Sequence, residues 1–329
     1  MALHPNDCWR PLAIRVESAL DPLLGAAFPV FALVGCGVLA GRFRLINPGS
    51  SEALNRFVYA FALPALLFVA VYRGSLEELL GSGTFVIGVV SATLLTALAG
   101  FALSHFCYRA SAPESVMRAL NASFANTGYL GIPLVTVAYG ERAGLPAALA
   151  TVATNIVSFA AAIVCLELLS NPGGGGIGRA LVGVARSPLI WPIALAVLLV
   201  AFGITVPLPL ERFATLLAAA AGPCALFAIG LFVSQLSIRA GLAASWPTTV
   251  LKLVLHPLLM AILAYHVLAI DALWAKIAIV CASLPLGATA FVLAQRYRLL
   301  EAETSTGAVL STAASVLTVS LVMSALGAH

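Results

Sequence analysis

The stretch NASFANTGYLGIPLVTVAYG, Asn121 to Gly140, sets two asparagines, a threonine and a Gly-Ile-Pro inside an otherwise apolar run. In water it would read as a loop, because Gly and Pro break helices and Asn competes for backbone hydrogen bonds. The solvent decides between readings. Of the 329 residues 61% are hydrophobic and 9% charged, against about a quarter charged in soluble domains. The chain therefore reads as an integral membrane protein, and a polar, proline-bearing stretch inside a span needs a reason.

Ten apolar runs of roughly 20 residues are long enough to cross a hydrocarbon core. They lie at Pro22–Ala40, Ser51–Tyr72, Thr84–Tyr108, Val116–Gly140, Leu145–Leu169, Leu189–Ile204, Leu208–Leu236, Trp246–Leu268, Ala272–Tyr297 and Thr304–Leu326. Residues 1–21 carry no apolar signal-peptide core and read as an amphipathic or loose lead-in. Counting Lys and Arg near span ends favours both termini on the non-cytoplasmic side, with eleven basic residues on one face and six on the other. The setting expected is a bacterial inner membrane. The net charge of +4 follows from this bias and does not point to nucleic acid. Five of the six cysteines fall in or at the ends of apolar runs, where a thiol acts as a small hydrophobe. No CxxC or HExxH pattern suggests a metal.

The spans repeat at an interval of five. LNRFVYAFALPALLF (54–68) and LERFATLLAAAAGPCALF (210–227) both begin Leu-x-Arg-Phe and end Pro-x-x-Leu-Phe. Span one pairs with span six, and the Thr/Ser/Ala-rich spans five and ten pair likewise. An odd interval makes the second copy enter from the opposite side, an inverted repeat. The expected organisation is a lead-in at 1–21, a first five-helix repeat at 22–170, a cytoplasmic linker at 171–187 and an inverted second repeat at 188–329. The glycine run of the linker reads as flexible spacer, since it lacks the GxxxxGK[ST] phosphate-loop pattern.

Span four then pairs with span nine, whose SLPLGA (Ser283 to Ala288) matches LGIPLV (Leu130 to Val135) in position. A residue before proline is pushed out of the helical region, so each span is expected to break at Pro133 and Pro285. Broken helices in hydrocarbon are tolerated only where protein or a cavity answers the freed backbone groups. Two breaks near the midplane would aim N–H groups and positive dipole ends at one spot, which suits an anion. Further donors come from Asn121, Ser123, Asn126 and Thr127, with Gly131, Ile132, Ser283 and Leu284 flanking the breaks and Thr154 and Asn155 reaching in from span five. Lys252 shares a helix face with His256. It either snorkels to the headgroups or points inward, towards the substrate or a dipole end of span nine. Kinks without function are the competing reading, preferred for Pro64 and Pro223.

NASFANTGYLGIPL, LPALLF (63–68), LKLVLHPLL (251–259) and SLPLGATAFVLAQRY (283–297) resemble the auxin efflux carrier family, whose bacterial branch includes malonate transporters and whose crossover architecture is shared by bile acid symporters. The resemblance runs from Pro22 to nearly the end. It implies ten helices with crossing, broken helices four and nine, a scaffold from spans one, two, six and seven, a mobile bundle from the rest, and a homodimer through the scaffold. It carries functional positions onto Asn126, Gly131, Pro133, Pro285 and Lys252.

The function expected is secondary active transport of small mono- or dicarboxylates such as malonate or malate. The alternatives are a sodium-coupled symporter of larger amphipathic anions and a non-transporting receptor or scaffold. No nucleophile–base pair or metal set suggests an enzyme. No cofactor is expected beyond a coupling ion, proton or sodium. The spans of the bundle hold no acid at their middles, so Thr127, Gln295 and backbone carbonyls are the candidate sodium ligands.

Overall fold

The computed structural model describes residues 32–46, 50–170, 188, 190–234, 241–287 and 289–327. The lead-in at 1–21, the start of span one and the linker at 171–187 lie outside the described residues. The described chain is all-helical, apart from one isolated backbone bridge. In order its apolar helices are α1 (Ala32–Arg42), α2 (Ala53–Tyr72), α3 (Gly83–Cys107), α4 (Ala112–Ser123), α5 (Thr127–Tyr139), α6 (Glu141–Leu166), α7 (Trp191–Ala201), α8 (Leu208–Leu231), α9 (Leu242–Val267), α10 (Ala272–Ser283), α11 (Thr289–Tyr297) and α12 (Glu301–Ala325). Six of them, α2, α3, α6, α8, α9 and α12, are long and apolar enough to cross a membrane. Leu98, Phe106, Phe213 and Leu216 are exposed on such helices, as expected where lipid rather than water is the neighbour.

The shortness of α4, α5, α10 and α11 has a local cause. Helix α4 opens on a capping box, Ser111 with Glu114, and α10 on an Asp271 cap, both strong start signals. Each helix stops inside an apolar run. Phe124 turns extended (φ −79°, ψ 98°) after α4, and Leu284 does so (φ −65°, ψ 154°) after α10.

Proline does not act alike at each position. Pro64, Pro133 and Pro257 sit near the start of helical segments that continue from a widened turn. In each case the residue before proline donates its N–H five residues back: Leu63 to Val58, Ile132 to Thr127, His256 to Leu251. The wider turn relieves the clash of the proline ring with the preceding carbonyl, so the helix bends and goes on. Ile132 keeps helical angles (φ −57°, ψ −49°). The expected break at Pro133 is therefore corrected: span four parts at Phe124–Asn126, and Pro133 lies a turn and a half inside α5. At Pro285 the expectation matches, since Leu284 is extended. Pro285 belongs to the break itself, ahead of α11, and not to that helix's first turn.

Helix α2 packs against α7 and α8, while α3 packs on α4, and α9 on α10 and α12. Helices α1 and α8 meet backbone to backbone. A Cβ on Gly230 would collide with the Val34 carbonyl and lie 2.8 Å from the Gly37 Cα. Small residues allow such approach where lipid removes the hydrophobic drive for helix pairing. Gly230→Ala is expected to lower the unfolding temperature in detergent, by a loss of about 1–3 kcal/mol from overpacking. Gly35→Ala, with nothing within 4 Å of its Cβ, is expected to leave it unchanged or raise it.

Candidate substrate site at two interrupted helices

The two breaks meet. Ala125 and Leu286 form an antiparallel bridge, in which Asn126 N–H donates to the Pro285 carbonyl at 2.9 Å and Gly287 N–H donates to the Phe124 carbonyl at 3.0 Å. Leu286 N–H is taken by Ser311 Oγ of α12 at 3.1 Å. The approach is close: a Cβ on Gly131 would lie 2.7 Å from Leu284 Cδ1, and one on Gly287 would strike the Phe124 ring. Apolar packing encloses the bridge on both sides, with Ala125, Ile132 and Leu284 in one buried cluster and Met117, Phe124 and Leu286 in another.

Backbone groups at the start of α5 divide into satisfied and free. Thr127 N–H turns back to Ala125 O, and Leu130 and Gly131 N–H share Asn126 O. The N–H groups of Gly128 and Tyr129 have no acceptor among the described residues, and they carry the positive end of the α5 dipole. Beside them Asn126 is 5% exposed, and its side-chain amide makes no hydrogen bond among the described residues. Thr127 Oγ1 is also buried without a partner. Buried polar groups in native structures are nearly always paired, so this group of unpaired donors is the candidate ligand contact, although the Tyr139, Thr306 and Thr318 hydroxyls are also buried without a partner.

Other expected residues are committed elsewhere. Asn121 donates from Nδ2 to Thr304 Oγ1 at 2.9 Å, with Oδ1 buried and unpaired. Ser123 bonds the Ala119 carbonyl and Ser158. Ser283 donates to Val280 O, and Asn155 to Thr151 O. Pro133 rests on Gly222 of α8. Thr154 lines a cavity of about 10 Å³ with His256, Cys281 and Ala282, room for one water at most. Gln295 is exposed near the end of α11, whereas Thr127 is buried, so the structure does not gather these two into one enclosed cation site. Among the described residues no group of His, Cys, Asp and Glu could hold a metal ion.

Lys252 is wholly buried and does not reach the headgroups. Its Nζ donates to the Ala282 carbonyl in the last turn of α10 at 2.7 Å and lies 3.1 Å from His256 Nδ1. The contact with Ala282 answers one of the carbonyls left over where α10 stops. As a donor to Nδ1, Lys252 leaves the proton of a neutral His256 on Nε2, which faces Thr93 Oγ1 at 3.5 Å.

Sequence reasoning missed two features. Arg118 of α4 donates to Glu303 of α12 in a two-pronged pair at 2.9 and 2.8 Å and to Ser104 of α3 at 3.1 Å. The signal was an acidic first turn opening span ten and an arginine inside span four, but sequence does not pair them. The second feature is an open cavity of about 600 Å³ whose floor is Ile132 and Thr136 of α5, with walls from α2, α6 and α8.

Helices long and apolar enough to cross a membrane, with two buried interruptions joined to each other, are compatible with membrane transport, and the comparison with known families decides the class. Residues 22–176 and 178–323 match the family model described as membrane transport protein, and the chain belongs to that family. It is a transporter and not an enzyme. It is 33% identical over 304 residues, 90% of this chain and 93% of the relative, to a Rhizobium meliloti (strain 1021) protein named "Putative malonate transporter". It is 27% identical over 247 residues, 71% of this chain and 76% of the relative, to the "Uncharacterized transporter YfdV" of Escherichia coli (strain K12). An "Uncharacterized transporter" of Methanothermobacter thermautotrophicus is 26% identical over 270 residues, 80% of this chain and 85% of the relative.

The side chains of Arg118 and Glu303 are 15% and 5% exposed, so removing one charge strands the other in the interior. Glu303→Gln is expected to cost about 3 kcal/mol, read as a fall in the unfolding temperature in detergent. The double change Arg118→Met with Glu303→Met is expected to recover most of it.

Proposed function

We propose that this transporter moves small organic anions, mono- or dicarboxylates of the malonate and malate kind, by alternating access around the joined breaks. The observation that carries the reading is the bridge between Ala125 and Leu286, which leaves the Gly128 and Tyr129 N–H groups and the Asn126 amide without acceptors at a helix N-terminus. That chemistry recognises a carboxylate, because oriented N–H groups and a positive dipole end stabilise a negative group away from water. The name of the Rhizobium relative points to the same substrate class.

In this reading α4–α5 and α10–α11 are the crossing helices four and nine of two inverted five-helix repeats, at 22–170 and 188–329. Helices α1, α2, α7 and α8 form the scaffold, which also makes a homodimer, and the remaining helices move against it. Both termini lie on the non-cytoplasmic side of a bacterial inner membrane. Asn126 supplies the side-chain donor to the substrate, and Gly131 and Pro133 set the close packing of α5 on Leu284 and on α8. Lys252 occupies the Ala282 carbonyl at the end of α10, so an anion at the joint meets one bare carbonyl fewer. Asn121 Oδ1 and Thr127 Oγ1 offer further spare polar atoms, Ser123 and Asn155, already hydrogen-bonded within the protein, and Thr154, beside the small cavity at His256, frame the site, and Ser283 and Pro285 form the opposing wall.

The test is flux in proteoliposomes across a panel of mono- and dicarboxylates, with and without sodium and with and without a pH gradient. Carboxylate flux is expected, and the two gradients identify the coupling ion. A strict sodium requirement with preference for bulky amphipathic anions would replace this reading with a bile-acid-type symporter. Asn126→Ala is expected to lower Vmax/KM at least about tenfold, the worth of one hydrogen bond to a charged group. Folded protein should elute unchanged on size exclusion; flux equal to the wild type's would remove Asn126 from the site.

A further inference from the structure

The cavity of about 600 Å³ between α2, α5, α6 and α8 holds charges that neither the break nor the fold requires. Arg73, just past α2, reaches Glu141 at the start of α6 at 3.4 Å to each carboxylate oxygen. Its other terminal nitrogen lies 3.5 Å from Thr215 Oγ1 and 3.7 Å from Glu211 Oε1, both on α8. Charge-assisted hydrogen bonds run at about 2.7–2.9 Å, so none of these contacts is at full strength. The Glu141 side chain is 82% exposed and free to swing away. Arg142, the next residue, lines the same cavity, is exposed and has no acceptor among the described residues. Glu78 also faces the cavity, but its carboxylate accepts Ser75 N–H at 3.0 Å as a helix cap and stays in place.

We propose that this cavity is a carboxylate entry site, in which the incoming anion takes the place of Glu141 on Arg73 and is shared with Arg142. The proposal rests on the transport reading above and adds to it where the substrate is first held. A free carboxylate can present both oxygens to the guanidinium fork, a geometry the backbone-tethered Glu141 does not reach here. The volume suits a small carboxylate with some water. Ile132 and Thr136, which line the cavity, lie on the helix whose N-terminus forms the break, so cavity and joint share α5 as a common wall. Arg73 is held on the α2–α8 side and Glu141 belongs to the α5–α6 side. Exchange of Glu141 for a mobile anion therefore also releases a polar link between the two groups of helices.

The experiment is the initial rate of malonate uptake into proteoliposomes over a range of concentrations, for wild type, Arg73→Gln, Arg142→Gln and Glu141→Gln. Loss of either arginine is expected to raise KM about tenfold with little change in Vmax. Glu141→Gln is expected to lower KM, because the competitor for Arg73 has gone. A merely structural ion pair would move Arg73→Gln and Glu141→Gln in the same direction, which would overturn the proposal, as would an unchanged KM in all three. Arg142→Gln breaks no hydrogen bond, so with Glu141→Gln it decides the matter even if Arg73→Gln does not fold. Absence of any carboxylate flux in the wild type would defeat the transport reading and this inference together. Wild-type flux with the wrong pattern of KM defeats this inference alone.

Discussion

Two main-chain hydrogen bonds, Asn126 N–H to Pro285 O and Gly287 N–H to Phe124 O, let two helices stop in apolar surroundings. Without them two donors and two acceptors would be buried unpaired, at about 1–3 kcal/mol each and more in hydrocarbon. The exchange works only because the segments can touch. Gly131 leaves room for Leu284, and Gly287 leaves room for the Phe124 ring. The pairing is also incomplete, and that is its use: it fixes the extended segments while Gly128 and Tyr129 N–H stay available.

The ends created by the breaks are answered unequally. At the end of α10 Lys252 Nζ donates to the Ala282 carbonyl, so one of the carbonyls left over there is answered from inside. Among the described residues no acidic side chain does the corresponding work at the start of α5, and the Gly128 and Tyr129 N–H groups stay unpaired. The proposed preference for anions follows from this asymmetry, a helix N-terminus left open beside a helix C-terminus that is partly answered.

Much of this was legible from residue types. Asn126, Gly131 and Pro285 stood out because polar, small and proline residues inside an apolar run demand an explanation, and the breaks do meet at that level of the chain. What misled was treating proline as the breaking agent. Pro133 follows a widened turn and leaves Ile132 helical, whereas the true interruption at Phe124–Asn126 is fixed by a partner segment some 160 residues away in sequence. Long-range pairing is invisible to local propensity. The same holds for Arg118 with Glu303 and for Leu286 with Ser311: each residue type was visible, each partner was not. Gln295 is exposed while Thr127 is buried, a difference that helical phase alone did not reveal.

The distribution of polar contacts also bears on what can move. Arg118 with Glu303, Asn121 with Thr304, Leu286 with Ser311 and Lys252 with Ala282 tie α4, the second break and α9–α10 to one another and to α12. Contacts from α5 towards α2 and α8 are of another kind: Pro133 rests on Gly222, and Gly128 faces Leu63. In a bilayer, apolar contacts between helices can be exchanged for lipid at little cost, because tails are as apolar as leucine. Separating hydrogen-bonded partners leaves groups that lipid cannot satisfy. Displacement along the α5 face towards α2 and α8 is therefore cheaper than any internal rearrangement of α4, α9, α10 and α12. In the proposed alternating access, this difference would let the break travel intact with its group of helices. Arg73 to Glu141 is a polar link across that face, between the end of α2 and the start of α6, and both residues line the open cavity there, so any such displacement has to part them.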